Sequence, residues 1–150
     1  MTKNVLITVG TGFVGVHLAR LFLKKKYQVT LFDLAELDAK DLIGKVKVII
    51  GDVRDPKTLN KALVGQDYIV HAAAALPIQL DKKIIYGVNI EGTKNVLAAS
   101  LKNKIKRLVF ISSTAVYGVP KHLPETETAP LDPIGHYGIS KIEGEKLCLE

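Results

Sequence analysis

Residues 4–33 of the chain read NVLITVGTGFVGVHLARLFLKKKYQVTLFD, and the rest of the sequence is organised around them. A run of aliphatic and β-branched residues of strand length leads directly into Gly10. Leu18, Leu21 and Phe22 then recur at helical spacing, and a second apolar run ends at Asp33. This order of strand, glycine-rich turn, helix, strand and acid is typical of a dinucleotide-binding βαβ unit.

The turn GTGFVG at residues 10–15 fits the pattern G-x-G-x-x-G. Such glycines permit a tight turn, let the backbone approach a pyrophosphate, and let the helix pack close to the strand. The helix N-terminus then offers free N–H groups to the phosphates. Asp33 follows Gly15 by about 18 residues, near the spacing at which an acid accepts hydrogen bonds from the adenosine ribose of NAD. A glycine-rich turn alone often has no ligand, but this context indicates nucleotide binding.

Composition restricts the classes of protein that the chain resembles. A chain of 150 residues with 47% hydrophobic content matches one domain with an aliphatic α/β core. It contains no apolar run long enough to span a bilayer, and its N-terminus lacks a secretory cleavage site. Cys148 is the single cysteine, which excludes an intrachain disulfide and a metal site built of cysteines. We therefore expect a cytoplasmic protein without a bound metal.

The formal net charge of +6 raises the question of a nucleic-acid partner. The basic residues concentrate at 24–26 and 102–107, which are predicted helix C-termini or the turns beyond them, where the helix dipole favours cations. No aromatic residues interleave with them, as a single-strand binder would require. We expect a solvated basic face, with neither nucleic acid nor membrane as a partner.

The remaining chain repeats the alternation of strand and helix. Apolar runs at 46–50, 68–70 and 108–111 predict three further strands, and helices are predicted from Pro56, capped by Asp55, and over residues 83–102. The strand cores are continuous apolar runs, which favours a parallel sheet covered on both faces. The predicted fold is therefore α/β, a Rossmann doubly wound parallel sheet.

Two features near the end of the sequence shape the predicted boundaries. Residues 119–135 contain four prolines and read as a long functional loop rather than a domain linker. The last predicted helix begins near Tyr137 and reaches Glu150 without a cap. A complete sheet of this type has about six strands, so we expect a sheet truncated after its fifth strand and part of the following helix.

The candidate chemistry lies beyond the carboxyl ends of the predicted strands, where open parallel sheets bind ligands. Small residues at 72–74 suit a surface that a cofactor approaches, although plain helix–sheet packing explains each alanine nearly as well. We expect His71 to be a packed or hydrogen-bonded residue rather than a catalyst. Tyr137 and Lys141 share one helix face, so a lysine ammonium beside the phenol would lower its pKa from ~10. A serine among residues 112–114 would hold the substrate oxygen.

Several stretches together resemble one known family. They are GDVRD at 51–55, VHAA at 70–73, VNIEGTKNVL at 88–97, FISSTAVYG at 110–118 and PLDPIGHYGISK at 130–141. With the glycine turn and Asp33, they make the chain similar to the N-terminal half of an extended short-chain dehydrogenase/reductase. The branch that it resembles is the NAD-dependent epimerase/dehydratase family, which acts on nucleotide sugars.

The resemblance implies roles for individual residues. Implied cofactor-binding residues are Gly10, Gly12, Phe13, Val14, Gly15, Asp33, Asp52, Val53, Ala72, Ala73, Ala74, Tyr137 and Lys141. Implied catalytic residues are Ser113 (with Ser112 as the alternative), Tyr137 and Lys141. In the implied reaction Tyr137 removes a sugar hydroxyl proton while hydride passes to NAD, which leaves a transient keto-sugar. Residues 1–150 would then be the NAD-binding Rossmann domain, with the substrate domain absent.

Two departures from the family pattern bear on function. Val9 replaces the first glycine of the family's T-G-x-x-G-x-x-G turn, and a β-branched residue is costly there if φ is positive. Thr114 and Ala115 stand where the dehydratase branch usually continues with Asp-Glu, which favours an epimerase or reductase.

The resulting prediction is an NAD-dependent nucleotide-sugar epimerase with a small-molecule substrate, and a homodimer is compatible with it. We expect the 150-residue chain alone to have little or no activity. A reductase or hydroxysteroid-type dehydrogenase of the same family stays open as an alternative. So does a non-catalytic NAD-binding module, which Val9 favours and the intact set of Ser113, Tyr137 and Lys141 opposes.

Overall fold

Five parallel strands form a single sheet in the computed structural model, which describes residues 2–79, 81–120 and 122–150. The strands are β1 (Asn4–Thr8), β2 (Gln28–Asp33), β3 (Lys47–Ile50), β4 (Tyr68–His71) and β5 (Arg107–Phe110). Their order in the sheet is β3-β2-β1-β4-β5, so the direction of winding reverses between β1 and β4. The predicted Rossmann topology is thereby confirmed.

The helices connect these strands. They are α1 (Phe13–Lys24), α2 (Pro56–Ala62), α3 (Lys82–Tyr86), α4 (Gly92–Lys102) and α5 (Gly135–Leu149). Short 3-10 turns occupy Lys40–Leu42 and Thr114–Val116. Among the described residues of the loop predicted at 119–135, none is in a helix or strand before α5 begins at Gly135; residue 121 lies outside the described residues.

Both faces of the sheet are covered, as the continuous apolar strands predict. Successive residues of β1 point to opposite faces. Leu6 packs in one core cluster with Leu59 of α2 and Val96 of α4, whereas Ile7 packs in a second cluster with Ala19 of α1. Because the strands are parallel, their carboxyl ends all lie at one rim of the sheet.

The start of α2 shows how local sequence determines a helix boundary. Pro56 is the first helical residue, and the Asp55 carboxylate accepts a hydrogen bond from the Lys57 backbone N–H at 2.9 Å. A hydrogen bond from the Thr58 hydroxyl lowers the pKa of Asp55, which keeps the cap ionised. The predicted cap is confirmed.

The helix predicted over residues 83–102 is interrupted. Between α3 and α4 the chain forms a π-helical turn over Gly87–Glu91. Gly92 follows it, and a Cβ at Gly92 would lie 2.7 Å from Cγ2 of Val53, so the turn packs close to the segment after β3. The apolar periodicity does not distinguish a π turn from an α turn, and such turns are frequent at functional sites.

No helix in the described part of the chain combines the length and the apolar character needed to cross a membrane.

β5 pairs with β4 on one side, and no other described strand pairs with its second edge. Val109 in this strand is 46% exposed. An open edge with apolar side chains is a template for pairing with another chain.

We expect residues 1–150 to self-associate through β5. Val109→Lys should reduce that association by at least about twofold, because a charge on an edge strand opposes pairing. Light scattering over a concentration series measures the effect. Leu101→Lys, on α4 and 82% exposed, is the matched control that should not change it. Equal association of wild type and Val109→Lys would place the contact elsewhere.

Candidate functional site

The turn between β1 and α1 brings backbone unusually close to backbone. The Gly12 N–H donates to the carbonyl oxygen of Val9 at 3.2 Å. A Cβ at Gly15 would lie 2.4 Å from that same oxygen and 2.5 Å from Cα of Gly10, so only glycine permits this packing. No side chain caps α1 at Gly12, and its first turn contains no acid. Its N-terminal N–H groups can therefore hold an anion.

Val9 has a positive φ, the backbone conformation that is costly for a β-branched residue at this position. Its φ is +50°, in the left-handed region that disfavours a β-branched residue. Its Cγ1 would lie 2.9 Å from a Cβ at Gly12, so the valine side chain leans over the turn. The turn at the predicted pyrophosphate position therefore contains a strained residue whose side chain lies close to Gly12.

A cavity of about 230 Å³ opens beside this turn, at the ends of β1 to β4. Its lining includes Val9, Phe32, Asp33, Asp52, Val53, Arg54, Ala73, Ala74, Ala75, Ile84 and Val88. Five of the predicted cofactor-binding residues thus meet at one cavity, namely Asp33, Asp52, Val53, Ala73 and Ala74. Sequence reasoning missed the contributions of Arg54, Ile84 and Val88.

Two carboxylates of this cavity are held by neighbouring groups. Asp33 accepts hydrogen bonds from the Thr11 backbone N–H at 3.0 Å and from the Thr11 hydroxyl at 2.6 Å. Asp52 forms an ion pair with Arg54, whose Nη2 lies 2.5 Å from Oδ2. Hydrogen bonding from Arg54 lowers the pKa of Asp52. Both acids are therefore oriented before any ligand arrives.

The loop after β4 carries the predicted alanines. The N–H groups of Ala72 and Ala73 both donate to Oγ1 of Thr8 at 3.0 Å. Ala75 is held through its N–H, which donates to Oδ1 of Asn89 at 2.7 Å. His71, just before this loop, is buried and hydrogen-bonded through both ring nitrogens, as its sequence context predicts.

Tyr137 and Lys141 lie close together on α5. Nζ of Lys141 is 5.9 Å from the centre of the Tyr137 ring and 4.8 Å from that of Phe110. Lys141 is only 2% exposed, and its Nζ donates to the carbonyl oxygen of Ile111 at 2.8 Å. Burial lowers the pKa of Lys141 to about 8. The predicted pair is brought together, with the lysine deeper than a surface pair would be.

Glycines on α5 explain this depth. A Cβ at Gly144 would lie 2.6 Å from the Phe110 ring, and a Cβ at Gly138 would lie 2.6 Å from the carbonyl oxygen of Ala115. The helix thus packs directly on β5 and on the turn that follows it.

The two candidate serines have different partners. The Ser112 hydroxyl donates to the carboxylate of Glu145 on α5. The Ser113 hydroxyl oxygen accepts a hydrogen bond from the Ala115 N–H at 3.2 Å, and this bond does not use the hydroxyl proton. The arrangement favours Ser113 as the serine available to a substrate.

Asn89 and Ser140 are site residues to which sequence reasoning gave no role. Both are fully buried. Nδ2 of Asn89 donates to Oγ of Ser140 at 2.9 Å, and Ser140 donates to the carbonyl oxygen of Tyr137 at 2.7 Å. The signal in the sequence was an asparagine between Val88 and Ile90, inside an apolar stretch.

Comparisons with known proteins agree with this geometry. The model of the NAD dependent epimerase/dehydratase family matches residues 5–150. N-acetyl-alpha-D-glucosaminyl-diphospho-ditrans,octacis-undecaprenol 4-epimerase of Escherichia coli O157:H7 is 40% identical over 100% of this chain and 44% of its own length. UDP-glucose 4-epimerase of Lactobacillus helveticus is 35% identical over 96% of this chain and 46% of its own length. The chain thus spans less than half of each of these two relatives.

Solved structures give the same result. Bordetella bronchiseptica WbmG in complex with NAD and UDP superposes with a TM-score of 0.87 at 28% identity, covering 99% of this chain and 50% of WbmG. UDP-glucose 4-epimerase from Brucella ovis in complex with NAD gives 0.88 at 28% identity, covering 97% and 46% of the two chains. The matched family is NAD-dependent. The uncapped start of α1, the close glycine packing and the two oriented carboxylates described above fit NAD.

Val9→Gly should tighten NAD binding by roughly three- to tenfold, because it removes a positive-φ valine and clears the turn where backbone meets phosphate. Titration calorimetry measures the dissociation constant. Val64→Gly, at an exposed position in the turn after α2, is the control that removes a valine away from the site and should leave the dissociation constant unchanged. Unchanged or weaker binding by Val9→Gly would mean that Gly10 already provides the close approach.

The lowered pKa of Lys141 predicts a pH dependence of stability. The lysine pKa is about 8 in the folded chain and 10.5 as an unperturbed group, so the unfolded chain binds more protons between these values. The free energy of unfolding of wild type relative to Lys141→Met should therefore rise across this window, by on the order of 3 kcal/mol.

Urea unfolding of both proteins at several pH values tests this expectation. Lys146→Met is the matched control, since Lys146 is exposed on the same helix and pairs with Glu143. Parallel pH curves for wild type and Lys141→Met would show that the ammonium is not desolvated.

Proposed function

Because the chain belongs to the NAD-dependent epimerase/dehydratase family, we propose that the protein is an NAD-dependent nucleotide-sugar 4-epimerase. Residues 1–150 form its NAD-binding Rossmann domain, and residues outside this range bind most of the substrate. The observation that carries the proposal is the buried Lys141 beside Tyr137, at the same rim as the nucleotide cavity. A cytoplasmic location and a homodimer are part of the proposal.

The residues that hold NAD divide by the part of the cofactor they meet. Gly10, Gly12, Phe13, Val14 and Gly15 hold the pyrophosphate at the start of α1, where uncapped N–H groups face the anion. Asp33 accepts hydrogen bonds from the adenosine ribose, and Asp52 with Val53 contacts the adenine. Ala72, Ala73 and Ala74 lie along the cofactor, since their small side chains let it approach the loop.

The chemistry rests on three side chains. Tyr137 removes the proton of the sugar hydroxyl, Lys141 stabilises the phenolate and binds the nicotinamide ribose, and Ser113 holds the substrate oxygen. When bound, NAD would supply the hydride acceptor and, in its reduced form, the hydride donor that inversion of a sugar carbon requires. Burial lowers the pKa of Lys141, and its ammonium lies 5.9 Å from the centre of the Tyr137 ring.

The substrate is a sugar carried on a diphosphate. The names of the relatives describe two such carriers, a nucleotide in UDP-glucose 4-epimerase and a polyprenol in the relative from Escherichia coli. We propose the nucleotide sugar, on the basis of the UDP held by WbmG. Thr114 and Ala115 stand where the dehydratase branch usually has Asp-Glu, which favours an epimerase or reductase over a dehydratase.

Tyr137→Phe in the full-length enzyme should lower kcat by at least about 100-fold, because the phenol acts only when the substrate proton moves. NAD affinity should change by less than about twofold, since the ring is retained. Proton NMR measures epimerisation in two separate assays, one with UDP-glucose and one with N-acetylglucosaminyl-diphospho-undecaprenol. Tyr27→Phe, remote at the amino end of the sheet, is the matched control.

Near-normal turnover by Tyr137→Phe would remove this residue from the mechanism. Absence of epimerisation of either substrate by wild type would contradict the proposed activity. In the same assay residues 1–150 alone should turn over poorly, and robust turnover by that chain would place the substrate site within it.

A further inference from the structure

Thr8 and His71 end two strands at the point where the sheet reverses its winding. They are register partners, the last residues of β1 and β4. The His71 ring is fully buried between two hydroxyls. Its Nδ1 lies 2.9 Å from Oγ1 of Thr8, and its Nε2 lies 3.0 Å from Oγ1 of Thr93 in α4.

The position of each proton in this chain follows from its neighbours. The Thr93 hydroxyl donates to the carbonyl oxygen of Asn89 at 2.7 Å, so it can only accept from His71. His71 therefore carries its proton on Nε2. Burial lowers the pKa of His71 to about 3, which keeps the ring neutral. Nδ1 then has a free lone pair and accepts the proton of Thr8.

The orientation of the Thr8 hydroxyl decides what the next loop can bind. A hydroxyl has one proton and two lone pairs. With its proton directed to His71, Thr8 accepts from the N–H groups of both Ala72 and Ala73 at 3.0 Å. If His71 carried its proton on Nδ1, one lone pair of Thr8 would be used for it. Only one of the two N–H groups would then have an acceptor.

We propose that His71 is a positioning residue for NAD, and that Thr93 selects its Nε2–H tautomer. The tautomer fixes the backbone at Ala72 and Ala73, which the proposed function places along the cofactor, and the inference rests on that placement. Thr93 thus controls cofactor affinity from helix α4, through the ring and the Thr8 hydroxyl, without lining the nucleotide cavity.

Thr93→Val tests the inference, because it removes the hydroxyl while keeping the branched shape. The Nε2–H loses its acceptor, the proton moves to Nδ1, and one alanine N–H is released. NAD should bind roughly three- to tenfold more weakly, as expected for one lost hydrogen bond. Thr93→Ser keeps the hydroxyl and should bind NAD with the wild-type dissociation constant. Thr93→Ala repeats the deletion with a smaller side chain in case valine impairs folding.

Ser100→Ala is the matched control for stability. Ser100 is also buried in α4, and its hydroxyl donates to the carbonyl oxygen of Val96 at 2.7 Å, outside the network. If Thr93 only stabilised the fold, Thr93→Val and Ser100→Ala would both lower the melting temperature, and neither would change NAD affinity. The inference requires a loss of affinity in Thr93→Val that Ser100→Ala does not show.

Nitrogen-15 NMR of the imidazole, assigned through backbone-to-ring correlations, reads the tautomer directly. Wild type and Thr93→Ser should show a pyridine-like Nδ1 and a pyrrole-like Nε2 for His71, and Thr93→Val should show the reverse. A wild-type ring protonated on Nδ1 would overturn the inference without any variant. So would unchanged NAD affinity in Thr93→Val and Thr93→Ala. Failure of wild type to bind NAD would instead overturn the proposed cofactor site on which the inference rests.

Discussion

The hydroxyl of Thr8 joins β1, β4 and the loop after β4 through one proton and two lone pairs, all of which are used. Its partner in the register is His71, so this junction lies where the sheet reverses its winding and where ligands bind in open α/β sheets. From His71 the hydrogen bonds continue through Thr93 to the π-helical turn. From that turn Asn89 reaches Ser140 of α5. Because buried polar groups are costly when unpaired, this complete pairing holds the rim in one arrangement.

Local signals explain why so much of the fold could be predicted from the sequence. The glycine turn, the Asp55 cap and the spacing of Tyr137 and Lys141 each depend on residues within a few positions of one another. The continuous apolar strands required a covered parallel sheet, and the two core clusters on its faces show that cover. Strand ends share one rim in such a sheet, so Asp33, Asp52 and the alanines could be placed together before any distance was known.

The parts that sequence reasoning missed depend on contacts between distant positions. Thr8 and His71 are 63 residues apart, and His71 and Thr93 are 22 apart, so no local pattern links them. The π-helical turn replaces one hydrogen-bonding pattern by another without changing which residues are apolar. The depth of Lys141 is equally invisible, since it follows from the absence of a Cβ at Gly144 against the Phe110 ring. The spacing of Tyr137 and Lys141 predicts that the two side chains lie close together, but it does not predict how deeply Lys141 is buried.

Unfavourable local choices concentrate at the site, as is common where function opposes stability. A valine occupies a positive-φ position, and an ammonium is buried against an aromatic ring. The two differ in kind. Glycine at position 9 would relieve the strain without losing a hydrogen bond, because the Val9 carbonyl that binds Gly12 belongs to the backbone. The burial of Lys141 has no such remedy, because any residue without the ammonium would remove the cation that the proposed chemistry places beside Tyr137. The strain at Val9 is therefore removable by one substitution, whereas the buried lysine follows from the proposed chemistry.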